Sequence, residues 1–426
     1  MINEDRLAAS RWWRIMPVIF VTFSLAFLDR VNYSFASVAG IDRDLGITAG
    51  TSSLIGAVFF LGYFLFQIPG TVYAERHNVK KLIFWSLMLW GCFSALTGVV
   101  SNIPALMVLR FCLGVVEAAV FPALLLLINK WFTRRERSIA NTLVCLGNPI
   151  TTLWMSVVSG YLVDGFGWRM MFVLEGVPAM IWAVTWWFLV EKTPANVKWL
   201  TAQQKTDIEV ALAREQKQIK PVRNYAEAFR SASVIKLALQ YFFWSIGLFG
   251  FVFWLPSILR QGSGSSMIAT GWLSAAPYMF STIAMLIVSV ISDRLLVRKH
   301  FVWPCLFAGA FAFTVLFAYY PLPFWVSYAL LTIAGVAMLA PIAAFFAIPP
   351  ELLPKNVAGG ASALINSMGA LGAFVGSYFV GQLNGWTNSP AYSFLLMGTA
   401  LFIAVALSLS VKTELHVVRE EALVTA

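Results

Sequence analysis

The sequence predicts an all-α integral membrane protein with twelve transmembrane helices, and three observations support that fold class. Hydrophobic residues make up 59% of the 426-residue chain and charged residues only 12%, which is too apolar for a soluble protein of this length. The apolar residues form long blocks of about 18 to 25, enough for a helix to cross a hydrocarbon core. Many of the 17 Trp and 35 Phe stand near block ends, as at lipid–water interfaces. We expect the chain to lie in a lipid bilayer.

Basic residues fix the expected orientation of the twelve blocks, which centre near residues 25, 62, 91, 116, 150, 179, 246, 281, 310, 335, 370 and 400. About 25 of the 30 Lys and Arg fall on the side of both termini, called here the basic face. The other side, the opposite face, has only Arg43, Arg169 and Arg260. The positive-inside rule predicts that the basic face and both termini are cytoplasmic, in a bacterial inner membrane. The net charge of +10 is therefore a topology signal, and we expect no nucleic-acid partner.

Cysteine and histidine give no sign of catalysis or metal binding. The four cysteines are scattered within blocks, and the three histidines stand in loops or in the tail. No HExxH or CxxC spacing occurs, and an enzyme would need a nucleophile–base pair or a metal cluster. We expect no enzyme activity, no cofactor and no metal.

The chain repeats itself with an offset of 218 residues. Glu75-Arg76 aligns with Asp293-Arg294, Asn148 with Asn366, and Gly167-Trp168 with Gly385-Trp386. The long polar stretch between the copies contains a Pro turn and a predicted linker helix. We predict a six-helix bundle at 1–190, a cytoplasmic linker at 191–233 and a second, pseudo-symmetric six-helix bundle at 234–426. An even number of spans per copy gives a parallel repeat, with any site between the halves near mid-membrane.

The loop TVYAERHNVKK after the second block resembles the signature G-x-x-x-D-R-x-G-R-K of the major facilitator superfamily. Thr71 and Asn78 replace its glycines, and Asn is the best substitute in a left-handed turn. The resemblance implies a gating motif, formed by Glu75, Arg76, Lys80, Lys81, Asp293 and Arg294. The alternative is that these charges only set topology.

Further motifs occur in order along the chain and narrow the resemblance. They include LDRVN, FQIPG, RFCLGVVEAAVFPA, ERSIAN, WRMMFVLEGVPA and FWLPSIL. Together they resemble the bacterial anion:cation symporter family, including its rhamnonate-type transporters. This resemblance implies the major facilitator fold and import of organic anions such as hexuronates, aldonates, tartrate or phthalate.

Four ionisable residues lie near the middle of predicted spans, where each costs at least about 2.5–3.5 kcal/mol. Asp29 and Arg30 stand about two-thirds across span one, and Arg110 is at a similar depth in span four. Glu117 follows Arg110 by two turns, on the same face. We hypothesise that Arg30 or Arg110 binds a substrate carboxylate while Asp29 and Glu117 carry protons, and the family resemblance assigns the same roles. The alternative is a structural ion-pair network.

The second half carries no equivalent charges, because the offset places Gly247, Leu248, Tyr328 and Gly335 at those positions. We therefore expect it to supply neutral substrate contacts. The further candidates are Tyr63 and Gln67 on one face of span two, the repeat-related amides Asn148 and Asn366, and Phe346, suggested by the family. The alternatives are interhelical hydrogen bonds and core packing. Glu175, toward the outer end of span six, is assigned a structural role.

The residues and the resemblance together predict a monomeric proton symporter with alternating access. The expected substrate is a sugar acid, a six-carbon aldonate such as rhamnonate. One alternative is an exchanger of organic anions or organophosphates with the same fold, and another is a transporter-like membrane sensor. The sequence leaves open whether the coupling ion is a proton or sodium.

Overall fold

Twelve long apolar helices make up the computed structural model, which describes residues 9–191, 193–217, 232–295, 298–352 and 355–411. The predicted number and order of spans are confirmed. The helices are α1 (Ser10–Ala39), α2 (Ala49–Arg76), α3 (Val79–Thr97), α4 (Ile103–Glu117 and Val120–Trp131), α5 and α6 (both within Arg134–Leu189), α7 (Ala232–Ser263), α8 (Met267–Leu295), α9 (Lys299–Ala318), α10 (Phe324–Leu339 and Ile342–Leu352), α11 (Lys355–Thr387) and α12 (Ala391–Ser410).

Helices α5 and α6 are separated by a single residue, Gly167. Its backbone has φ 76° and ψ 169°, and this positive φ suits glycine because residues with a side chain rarely adopt it. The chain therefore turns here without a loop, and residues 134–166 and 168–189 cross the membrane in opposite directions.

Short polar side chains start several of the helices by accepting hydrogen bonds from free backbone N–H groups. Thr48 caps α2, accepting from Thr51 N at 3.3 Å. Asn78 caps α3 and Asn102 caps α4, accepting from Lys80 N at 3.0 Å and Ala105 N at 2.9 Å. These residues set where each helix leaves the interfacial region.

The 218-residue repeat is visible in the helix bounds. Adding 218 to residues 49–76 of α2 gives 267–294, and α8 spans Met267–Leu295. The two halves meet where α2 packs on α11 and α5 packs on α8, with α1 against α7 between them. The repeat relates α2 to α8 and α5 to α11, so the two main contacts are equivalent. Two pseudo-symmetric six-helix bundles therefore face each other along one interface.

Glycine lets the halves approach closely near the opposite face, where α5 crosses α8. A Cβ on Gly160 would lie 2.9 Å from the carbonyl oxygen of Met267 and 3.4 Å from Cα of Gly271. A Cβ on Gly271 would lie 2.6 Å from the carbonyl oxygen of Ser156. No larger residue fits this crossing without moving the backbone, so the bundles are tightly closed at this end.

Helices α4 and α10 are each interrupted inside the membrane. Ala118 and Ala119 separate the two pieces of α4, and Ala340 and Pro341 separate those of α10. Proline lacks the N–H needed for an internal helix hydrogen bond, and Pro122 in α4 and Pro341 in α10 explain the interruptions. Glu117 is the last residue of the first α4 piece, so a charged side chain stands at a helix end in mid-membrane.

The linker begins with structure that packs on the first half. A short 3₁₀ helix spans Pro194–Asn196, and an α-helix spans Ala202–Lys217, as predicted. Trp199 stacks on Trp131 with ring centroids 5.7 Å apart, and the Arg14 guanidinium lies 5.1 Å from the Trp199 ring. Residues 218–231 lie outside the described part, and the predicted domain limits stay predictions.

Candidate functional site

Arg30 of α1 and Glu117 of α4 form an ion pair inside the first half. Arg30 Nε donates to Glu117 Oε1 at 2.6 Å, and the terminal NH2 group contacts the same oxygen. The Arg30 side chain keeps 11% of its surface exposed, against 1% for Glu117. Glu117 Oε2 has no hydrogen-bond partner among the described residues. The structure thus pairs two of the four ionisable residues that the sequence placed inside the spans of the first half.

Aromatic rings and neutral polar groups surround Arg30. Its guanidinium lies 4.7 Å from the Tyr63 ring and 5.2 Å from the Phe27 ring, distances that favour cation–π attraction. The Tyr63 side chain also interacts with Asn366 of α11. Tyr63 therefore connects Arg30 to a neutral amide of the second half across the interface.

Asp29 points away from that pair and into the core of the first half. Its Oδ1 accepts from Ser94 Oγ at 2.5 Å and from Asn32 Nδ2 at 2.8 Å, while Oδ2 has no partner in the described structure. Asp29 is 1% exposed. Adjacent residues of α1 thus serve two separate clusters, since about 100° of helix rotation separates their side chains.

Arg110 belongs to the Asp29 cluster. It donates to the backbone oxygen of Asp29 and to Oδ1 of Asn32, both at 3.1 Å. Its guanidinium lies 5.0 Å from the rings of Tyr33 and Phe172, and the residue is 3% exposed. The predicted equal depth of Asp29 and Arg110 agrees with these contacts. The four charges form two clusters, because Arg30 alone binds Glu117 while Arg110 is enclosed by α1 and α6.

Glu175 of α6 joins this second cluster, although the sequence analysis gave it a separate structural role. Its Oε1 accepts from Ser159 Oγ at 2.6 Å, and its side chain lies beside Asn32 and interacts electrostatically with Arg110 and Asp29. The residue is 4% exposed. The sequence does show an acidic residue within an apolar span. Its place in the cluster was missed because depth along one span does not reveal which helices meet at that depth.

The other predicted substrate residues are distributed along the interface. Gln67 is fully buried, and neither of its amide atoms has a hydrogen bond within the described residues. Asn148 and Asn366 are half-buried. Phe346 is also half-buried, and its ring packs edge-on against Tyr241 with centroids 5.1 Å apart. Tyr241 was not predicted, because the sequence shows it only as one of several aromatic residues in the same span.

Comparison with known proteins identifies the family. The sequence pattern of the Major Facilitator Superfamily matches residues 19–377. The chain belongs to this superfamily. A putative tartrate transporter of Agrobacterium vitis is 32% identical over 414 residues, which covers 95% of this chain and 91% of that protein. A quinolone resistance transporter of Acinetobacter baumannii is 29% identical over 417 residues, covering 95% and 94%.

A solved structure supports the fold. The crystal structure of a bacterial homologue of the human lysosomal transporter Spinster superposes with a TM-score of 0.72. The superposition covers 94% of this chain and 97% of that one, at 15% sequence identity. The likeness concerns the fold alone.

The family match and the relatives decide the class of protein. The protein is a multi-pass membrane transporter and not an enzyme, and its expected place among the superfamily's sugar-acid and organic-anion permeases is confirmed.

The predicted gating motif lies at the basic face, as the superfamily signature implies. Lys80 Nζ lies 3.1 Å from Glu191 Oε1, and the Lys80 backbone oxygen accepts from Trp186 Nε1 at 3.1 Å. The motif thus ties α3 to the end of α6 within the first half. Arg76, Lys81 and Arg294 are exposed, and the side chains of Glu75 and Asp293 lie outside the described part.

Proposed function

We propose that this transporter imports an organic anion, a sugar acid of the aldonate class such as rhamnonate, by proton symport with alternating access. One observation carries the proposal: a membrane-embedded ion pair, Arg30–Glu117, stands where the first half meets a neutral second half. The proposal places the basic face on the cytoplasmic side, in a bacterial inner membrane.

The Arg30–Glu117 pair can couple the binding of a substrate carboxylate to the uptake of a proton. With no substrate, ionised Glu117 neutralises Arg30. A substrate carboxylate that binds Arg30 bidentately displaces Glu117, and a carboxylate left in apolar surroundings takes up a proton. Anion binding and Glu117 protonation are therefore favourable together and costly apart, which is the requirement for symport.

Arg30 is a better carboxylate site than Arg110. Arg30 is partly exposed at the interface, whereas Arg110 uses two of its groups on Asp29 and Asn32 and lies between two rings. The offset relates no cation of the second half to either arginine. One available cation favours a substrate with one carboxylate over a dicarboxylate such as tartrate, the substrate in the name of one relative.

Neutral polar groups of both halves fit a hydroxylated substrate. Asn148 and Asn366 are related by the repeat and half-buried, and Gln67 has unused donors and acceptors. Amides of this kind can pair with hydroxyl groups, since each supplies both a donor and an acceptor. These groups support a sugar acid.

An aromatic acid is the second candidate, and the wall on the second half favours it. Tyr241 stacks on Phe345 with centroids 5.4 Å apart and packs on Phe346. Aromatic side chains attract flat rings by stacking. One relative is named a quinolone resistance transporter, and that name points to an aromatic substrate.

Uptake into proteoliposomes with a pH gradient tests the proposal. A panel of rhamnonate, gluconate, tartrate, benzoate and glycerol 3-phosphate should show accumulation of the aldonates, and a protonophore should abolish it. Accumulation that needs a counter-anion inside and ignores the pH gradient would favour the exchanger. Preferred uptake of benzoate would favour the aromatic candidate.

A further inference from the structure

Counting charge reveals an imbalance among the described residues in the middle of the spans. Asp29, Glu117 and Glu175 are acidic, and Arg30 and Arg110 are basic. The Arg30–Glu117 pair is neutral by itself. Near Arg110, however, lie two buried carboxylates, and its guanidinium donates to the Asp29 backbone oxygen and to Asn32 and not to either of them. Full ionisation would therefore leave one uncompensated negative charge in the bundle core.

The two carboxylates around Arg110 are hydrogen-bonded on one oxygen only. Asp29 Oδ1 accepts two hydrogen bonds, and Glu175 Oε1 accepts one from Ser159. Asp29 Oδ2, Glu175 Oε2 and Arg110 Nε have no partner among the described residues. An ionised carboxylate only accepts hydrogen bonds, so one with a bare oxygen inside a protein is costly, and protonation of the group removes the buried charge.

Asn32 connects the two acids. Its Nδ2 donates to Asp29, its Oδ1 accepts from Arg110, and its amide lies beside Glu175. The charged groups that interact with the cluster from outside are Glu117 and its partner Arg30, which neutralise each other. The remaining groups that face it are neutral: Tyr33 from α1, Ser94 from α3, Ser159 from α5 and Phe172 from α6. No second unpaired cation faces the acids from these helices, so the charge has to be balanced by a proton.

We infer that Asp29 and Glu175 share one proton around Arg110, which makes Glu175 a proton-holding residue and not only a structural one. Two buried acids that meet at one amide beside one cation interact strongly and titrate as a unit. Removal of either carboxyl group would leave a neutral acid–arginine pair, and the remaining acid would be ionised. Given the proposed proton symport, this pair is a proton store separate from Glu117.

Infrared spectroscopy of the protein in nanodiscs tests the inference without any transport assay. Spectra are recorded at neutral pH in a Glu117→Gln background, so that Glu117 contributes no signal. The band of a protonated carboxyl group should be present, and it should disappear in both Asp29→Asn and Glu175→Gln. Loss in Glu175→Gln with full retention in Asp29→Asn would show that Glu175 holds its own proton, and the reverse pattern would assign the proton to Asp29. Either pattern overturns the inference.

Two further variants distinguish a specific effect on the proton from a loss of folding. Glu175→Asp keeps the acid and should keep the band at a shifted frequency, while Ser159→Ala should shift it through the lost hydrogen bond. Thermal unfolding and gel filtration establish that each variant is folded. If the wild-type protein shows the band but no proton-driven uptake, the proposed symport is wrong and the shared proton still holds. If it shows proton-driven uptake but no band, the shared proton is wrong and the proposed symport still holds.

Discussion

The two halves share a scaffold, but their cores differ in chemistry. In the first half, Arg30, Arg110 and three acids occupy the space between helices. In the second, the repeat places Leu248 and Tyr328 where the arginines stand. The Tyr328 hydroxyl donates to the Leu273 backbone oxygen at 2.8 Å, so the position is satisfied internally. One copy of the repeat is built for ionic chemistry and the other for packing.

The acidic positions show the same difference. Gly335 stands at the repeat position of Glu117, and a Cβ there would lie 2.8 Å from Cζ of Phe251. Ser393 stands at the position of Glu175 and donates to the Val380 backbone oxygen at 3.0 Å. Rings and short internal hydrogen bonds fill the space that the first half gives to ions. The ionic side chains in mid-membrane therefore belong to the first half, and the matching positions of the second half are neutral.

Removing Arg30 should produce the largest loss, because the proposed anion site has one cation. Arg30→Gln should weaken substrate binding about 10- to 100-fold, the value of one or two charge-assisted hydrogen bonds. Arg30→Lys should restore part of it, since lysine keeps the charge and loses the bidentate geometry. Isothermal titration calorimetry with the transported acid measures the change.

Tyr328→Phe is the matched control in the second half, and it should leave affinity within about twofold while costing about 0.5–1.5 kcal/mol of stability. Equal losses of affinity in Arg30→Gln and Tyr328→Phe would mean that the halves do not divide the chemistry as described.

Filling the space next to Phe251 tests the packing side of the comparison. Gly335→Leu should destabilise the protein by about 1–3 kcal/mol, the usual cost of overpacking a core. Unfolding in detergent, followed by intrinsic fluorescence, measures this loss. Gly165→Leu is the control, because nothing lies within 4 Å of a Cβ at that position. A stable Gly335→Leu protein would show that the second half is not tightly packed there.

Substitution of Asp42, in the short helix Ile41–Asp44 at the opposite face, should have the smallest effect on stability. Its Oδ2 accepts from Ser37 Oγ at 2.6 Å, and burial raises the pKa of its carboxyl above the usual range. A raised pKa in the folded state stabilises the protein at low pH, and that stability is lost as pH rises through the folded value. Asp42→Asn should therefore raise Tm by a few degrees in mildly alkaline buffer and leave it unchanged in acid. A Tm gain confined to acid would contradict this account.

The sequence predicted the fold well because lipid imposes a simple rule on it. Each span needs a block of apolar residues, and the basic residues between blocks mark one side. The repeat offset of 218 was readable from a few loop and helix residues, and the helix bounds follow it. The interruption of α4 after Glu117 was not predicted, because a proline such as Pro122 does not by itself fix where a helix breaks.

The site was predicted in part. Residue spacing placed Asp29 and Arg110 at one depth, which the structure shows, but it could not tell which acid each arginine meets. That choice depends on helix rotation and on side-chain direction across three helices. Glu175 was separated from the cluster for the same reason: its contacts with Ser159 and Asn32 join residues on different helices. Tertiary packing, and not local pattern, decides such partners.

The central claim is that Glu117 couples the anion to the proton through Arg30, and Glu117→Gln in proteoliposomes tests it most directly. The account predicts that this variant keeps exchange of labelled for unlabelled substrate, because the anion can still bind Arg30, but no longer accumulates substrate when a pH gradient is imposed. Accumulation at the wild-type level under the same gradient would contradict it.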